Sequence, residues 1–224
     1  MEEAMNQDKP SAQYASPPCF MHELDGHPEA VTADVAQWND IARWRKAERQ
    51  RLIEARLAVS ADDRAAMTQG IVASLDQAIG DPAGRMVSIY WPFRGEPDLR
   101  SWLASINERG GRTALPLVVK KGRPLIFRSY RTGDPLERSV WNIPVPATGE
   151  EVVPDVVIAP VVGFDARCYR LGYGGGFFDR TLAALPRKPL TIGIGYGIAR
   201  IPTIYPQPHD IPMDVIITDA GIQD

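Results

Sequence analysis

The stretch "RMVSIYWPFRGEPDLRSWLASINERGGRTALPLVV", residues 85 to 119, decides the fold. Its opening, from Arg85 to Phe93, is an apolar run with the length of a buried strand. Pro97 then begins a helix and Gly110 ends it, since proline suits a first helical turn and glycine a left-handed exit. The apolar run "RTALPLVV" follows at once and reads as the next strand. Strand, helix and strand at this spacing form a parallel crossover, because a two-stranded hairpin needs no helix between its arms. The fold class is therefore α/β: a single three-layer α/β/α domain with a mostly parallel sheet, plus an N-terminal extension.

The flanking segments extend the same plan. "VAQWNDIARWRKAERQRLIEARL", residues 35 to 57, contains no glycine or proline and predicts a long helix. Ser60 caps a second helix, with Asp63 in the reciprocal position, and Met67, Ile71, Leu75 and Ile79 recur every fourth residue as its core stripe. Downstream, "GRPLIFRSY", "PDVVIAPVVGFD", "PLTIGIGYG" and "MDVIITD" read as strands, and Phe177 to Leu185 as a short helix. Residues 1 to 34 mix prolines, acids and isolated aromatics without period, which predicts an irregular extension ahead of a domain at 35–224. Cys19, His22 and His27 in that extension have a superficially metal-like spacing, but a second cluster is missing and no metal role is expected.

Composition narrows the function classes. A net charge of -3 over 224 residues argues against a dedicated nucleic-acid binder, so phosphate chemistry has to be local. No apolar run has the length of a membrane span, and a monomer is expected. Cys19 and Cys168 stand in unlike contexts, which disfavours a disulfide framework and makes a reducing cytoplasm the expected compartment.

The chemistry concentrates in "RLGYGGGFFDR", residues 170 to 180. Its glycines let backbone N–H groups approach a ligand, although a tight strand-to-helix turn would use the same residues. The spacing is neither that of a P-loop nor that of a dinucleotide fingerprint. The flanks favour a nucleotide: Arg170 suits phosphate oxygens, and Asp179 suits a hard divalent cation that shares them. Arg45 and Arg49 lie one turn apart and would clamp a polyphosphate, while a solvated charged face is the simpler reading of the same run.

Taken in order, "SIYWPFRGEPDL", "WNIPVP", "GFD", "RLGYGGGFFDR" and "HDIPMDVIIT" resemble the 5-formyltetrahydrofolate cyclo-ligase (methenyltetrahydrofolate synthetase) family from about Arg43 onward. The resemblance implies an ATP-driven, magnesium-dependent conversion of the reduced folate 5-formyltetrahydrofolate to 5,10-methenyltetrahydrofolate. It places ATP on Arg45, Arg49 and the loop Arg170, Leu171, Gly172, Tyr173, Gly174, Gly175, Gly176, Phe177 and Phe178. It places magnesium on Asp179 and Asp210, gives Arg170 and Asp179 the catalytic roles, and lines the folate pocket with Trp91, Glu96, Trp141 and loop residues Tyr173 to Phe177. On residue type alone Glu96 also reads as a helix cap and Trp141 as a core aromatic. Phe177 and Phe178 depart from the tyrosines usual in the family, and Ile198 to Arg200 stand where it places a glutamine. A relative that keeps the ATP and magnesium site for another small molecule, such as a thiamin-related one, is the alternative, as is a non-enzymatic nucleotide-binding module.

Overall fold

The structure, a computed structural model, describes residues 28–223. The chain falls into two compact units, Met1–Asp40 and Ile41–Asp224. Helix α1, Pro28–Ala58, begins seven residues ahead of the expected start at Val35, with proline at its first position. The triplet Cys19, His22 and His27 lies outside the described residues.

In the second unit, α2 (Ala61–Ile79) leads to β1 (Met86–Ser88), α3 (Arg100–Glu108), β2 (Arg112–Leu117) and β3 (Ile126–Ser129). Next come β4 (Leu136–Arg138), β5 (Pro144–Pro146), β6 (Glu151–Val152), β7 (Val156–Pro160), β8 (Gly163–Phe164) and β9 (Arg170–Leu171). Helix α4 (Phe177–Ala184), β10 (Leu190–Ile194), β11 (Val215–Thr218) and β12 (Gly221–Gln223) complete the unit. One sheet has the order β12-β11-β10-β7-β1-β2-β3-β6. Its centre, β11-β10-β7-β1-β2, is parallel, and β12, β3 and β6 are antiparallel additions at the two edges.

The parallel centre reverses its winding between β1 and β7. The chain leaves β1 through α3 to β2 on one side, and leaves β7 through α4 to β10 on the other. Right-handed crossovers running in opposite directions put their helices on opposite faces. The alternation of side chains bears this out. Val87, Val156 and Ile158 join α2 and α3 through Ile71, Leu75, Leu103 and Ile106, whereas Met86, Val157 and Phe127 face Phe178 and Leu182 of α4. Helix α1 packs Leu52 and Ile53 on Val162, Leu171, Ile201 and Ile204, beside the carboxyl end of the sheet.

Local chemistry sets the helix starts. Ser60 Oγ accepts the Asp63 N–H at 3.1 Å, but the Asp63 carboxylate answers to the Ser60 hydroxyl at 2.7 Å rather than to its backbone. Helix α3 starts at Arg100 and not at Pro97, because Asp98 turns the chain first by accepting the Arg100 N–H at 3.1 Å. Leu75 is fully buried in the α2 stripe. Leu75→Ala is expected to lower stability by about 2–5 kcal/mol through lost burial and a residual cavity. Urea unfolding checks this, and the residues at the carboxyl edge of the sheet are expected to keep their arrangement.

Candidate active site

Two loops meet beyond the carboxyl ends of β1 and β7, on either side of the winding reversal. That crevice is where open α/β sheets hold their ligands. From β1 comes the segment ending in Glu96. From β7 the chain runs through the β8–β9 hairpin into the glycine loop and α4. Asp165, the acid of "GFD", shapes the hairpin: Oδ1 accepts the Arg167 N–H at 3.0 Å, and Oδ2 reaches across to the Ile204 N–H at 3.1 Å.

The glycine loop is a mould for arginines. Arg49 Nε donates to the Gly172 carbonyl at 2.7 Å, and its guanidinium lies 3.3 Å from where a Cβ on Gly174 would stand. Gly176 adopts φ 60, and a side chain there would press on the Arg180 guanidinium. Arg180 donates to the Gly175 carbonyl and lies over the Phe177 ring. Any larger residue at 174 or 176 would displace a cation as well as strain the backbone. Burial holds the Arg49 pKa below its usual value, and the Arg45 charge adds to that effect.

The acids and bases pair across the site. Arg45 meets Asp210 at 2.5 Å and also donates to the carbonyls of Ile204 and Tyr205, both at 2.9 Å. Its side chain is 11% exposed, so the solvated-face reading does not hold. Arg170 meets Asp179 at 2.9 Å and lies over the Phe178 ring. The Ile211 N–H donates to Asp179 Oδ1 at 3.2 Å, which brings Asp179 next to the residue that follows Asp210. Two carboxylates drawn to one segment are a hard, all-oxygen donor set. Among the described residues there is no cluster of three or more His, Cys, Asp or Glu able to cage a metal. This composition fits magnesium, which takes one or two carboxylates and fills its shell with water and phosphate.

The folate-side expectations separate. Glu96 is buried and caps no helix. Its Oε2 accepts the Phe93 N–H at 2.8 Å, and its Oε1 accepts the Tyr173 hydroxyl at 2.8 Å. Burial pushes its pKa up to about 7, against the opposing charge of Arg56 and those two hydrogen bonds. Trp141 is no core residue: it is 60% exposed, holds φ 58 and meets Phe177 edge-on at 5.9 Å. Trp91 instead lines a cleft of about 490 Å³ with Tyr130, Arg100 and Leu115 on the α3 side. Phe178 of α4 is half-buried and packs against two core clusters, with the Arg170 guanidinium over its ring.

Arg56 escaped the sequence reading. It is buried in α1 and donates to the Tyr173 hydroxyl at 2.6 Å. Its position seven residues after Arg49 was the available signal, because seven residues return to the same helix face.

The fold is of the α/β class, with the paired arginines and carboxylates gathered at a sheet switch point. A model of the 5-formyltetrahydrofolate cyclo-ligase family matches residues 41–219, and the chain belongs to that family. It is similar to the 5-formyltetrahydrofolate cyclo-ligase of Haemophilus influenzae, 27% identical over 139 residues, which are 58% of this chain and 74% of the relative. The cyclo-ligase of Escherichia coli is 29% identical over 143 residues, 61% of this chain and 79% of the relative. The solved Aquifex aeolicus 5,10-methenyltetrahydrofolate synthetase shares the fold with a TM-score of 0.69 and 23% identity, covering 80% of this chain and 91% of that one.

Glu96 yields a stability prediction. A pKa raised from 4.5 to about 7 gives a contribution fully present below pH 4.5 and lost as the pH climbs through 7. Relative to Glu96→Gln, the wild-type protein is expected to lose about 3 kcal/mol of stability across that window. Urea midpoints measured for both proteins from pH 4 to 8 test it, and parallel curves would refute the shift.

Proposed function

We propose that this chain converts 5-formyltetrahydrofolate to 5,10-methenyltetrahydrofolate with ATP and magnesium, in the cytoplasm. Family membership supports the reaction. The observation that carries it to these residues is the 2.8 Å bond from Tyr173 of the glycine loop to Glu96, because it joins a phosphate-binding loop to a buried carboxyl suited to a pterin.

The formyl group on N5 is a weak electrophile. Transfer of the γ-phosphoryl group of ATP to the formyl oxygen, with ADP as leaving group, makes that carbon attackable by N10, which gives up its proton, and phosphate then leaves with the formyl oxygen. No side-chain nucleophile is required, so the chain's task is alignment and charge stabilisation. Arg49, Arg45 and Arg170 meet the phosphate oxygens, with the backbone N–H groups of Gly174 to Phe178 at the amino end of α4. Asp179 and Asp210 would hold magnesium, which neutralises charge on the phosphates when bound. For both to happen, Arg45 and Arg170 exchange their carboxylates for phosphate. Glu96 in its ionised form accepts N–H groups of the pterin, and exposed Trp141 with Phe177 offers an aromatic wall beside it.

Purified protein mixed with ATP, magnesium and 5-formyltetrahydrofolate is expected to generate the methenyl chromophore, and absence of both product and folate binding would overturn the reading. Asp179→Asn and Asp210→Asn are each expected to lower turnover by about 100-fold or more at saturating magnesium while remaining folded, since an amide keeps the shape but not the anion. Normal turnover in both would remove the metal assignment. The KM for folate is expected to fall several-fold from pH 6 to pH 8 as Glu96 ionises, while Glu96→Gln gives a raised and flat KM. Steady-state kinetics across that range decides the matter.

A further inference from the structure

We propose that Arg56 is a positioning residue of this reaction: its guanidinium, acting through the Tyr173 hydroxyl, locks the Glu96 carboxyl and the glycine loop into one unit. The inference rests on the reading above, in which Glu96 receives folate and the loop receives phosphate.

The geometry is that of a three-way junction. Arg56 Nε donates to the Arg94 carbonyl at 2.9 Å, in the segment that leaves β1. Nη1 donates to the Val161 carbonyl at 3.4 Å, where the chain leaves β7. Nη2 donates to Tyr173 Oη at 2.6 Å, in the glycine loop. One planar fork therefore contacts both strand exits of the switch point and the loop above them. Lysine, a point charge on a flexible stem, lacks the geometry to hold three acceptors in fixed directions.

Charge explains why the junction includes Tyr173. Arg56 is 5% exposed and Glu96 6%, and the tyrosine hydroxyl stands between them, accepting from the arginine and donating to the carboxylate. Each buried charge has the other as its compensation, relayed by one hydroxyl, and the loss of either leaves the other costly. The remaining groups that face Glu96 carry less weight. Tyr90, from the end of β1, is deeply buried and its pKa is raised by burial and then by Glu96, so it stays neutral. Tyr173 likewise has its pKa raised, first by burial and then by Glu96, and stays protonated. The Phe93 N–H supplies a dipole, and Arg64 of α2 reaches the neighbourhood of Gly95. Arg56 is the opposing charge that most lowers the Glu96 pKa.

The consequence for catalysis is that folate seated on Glu96 and phosphate seated in the loop share a common support, so displacing one displaces the other. Phosphoryl transfer to the formyl oxygen depends on that alignment.

The test is a carbon-13 NMR titration of the Glu96 carboxyl, assigned by its loss in Glu96→Gln, in wild type, Arg56→Lys and Arg56→Ala. Arg56→Ala is expected to raise the midpoint by about one unit or more. Arg56→Lys, which keeps a charge but not the fork, is expected to shift it less while lowering kcat and raising the folate KM by about tenfold or more. Binding of MgATP by calorimetry should weaken less than folate binding in Arg56→Lys, since the loop loses a support but no phosphate contact is removed. If Arg56→Ala does not fold, Arg56→Lys carries the kinetic arm and Arg56→Gln the titration. An unmoved Glu96 midpoint with Arg56 neutralised, or unchanged kcat and folate KM in Arg56→Lys, overturns the proposal. Should wild type make no methenyl product, the functional reading fails separately, and the titration still decides whether Arg56 governs Glu96.

Discussion

The reversal of winding between β1 and β7 is the constraint on which the rest depends. Two neighbouring parallel strands send their crossovers to opposite faces, which leaves a crevice at their carboxyl ends. Into that gap come the loop bearing Glu96 and the loop bearing the glycines. Helix α1 closes it from the side, anchored by Leu52 and Ile53 and presenting Arg45, Arg49 and Arg56 along one face. Without that anchor the three arginines would be ordinary surface charges.

Burial gives acids of the same kind two different fates at the two ends of the sheet. At the amino end, Asp155 accepts the Met86 N–H at 2.7 Å, and this bond, with Arg187 nearby, holds its pKa below the usual range. It is a fastener between β1 and the approach to β7. At the carboxyl end Glu96 is buried more deeply, and its hydrogen bonds and the charge of Arg56 offset only part of the desolvation. Its protonation therefore changes near neutrality.

The sheet and its helices were legible in the sequence because their signals are local: apolar runs for β7 and β10, a fourth-residue stripe for α2, and Gly110 closing α3. Glycine spacing and flanking charge identified the loop and its cationic neighbours for the same reason. The partners of those charges were not legible. That Arg45 would meet Asp210, 165 positions away, follows from how α1 lies on the hairpin and not from any spacing. The surroundings of the aromatics were not legible for a related cause. Trp141 also reads as core from its type, yet a left-handed turn lifts it into solvent, and Trp91 lines the α3-side cleft. Composition states what a side chain can bury, whereas topology decides whether it does.

The two ion pairs at the mouth of the crevice, Arg45 with Asp210 and Arg170 with Asp179, make these four side chains one another's counterions. A cleft lined by unpaired arginines would collect any small anion, and one lined by unpaired carboxylates any cation. At these two pairs a lone anion must evict a carboxylate and leave it stranded, and a lone cation must do the same to an arginine. Only a ligand that brings both signs at once leaves nothing uncompensated. Self-neutralisation of the two pairs thus works against the binding of simple ions at those four side chains.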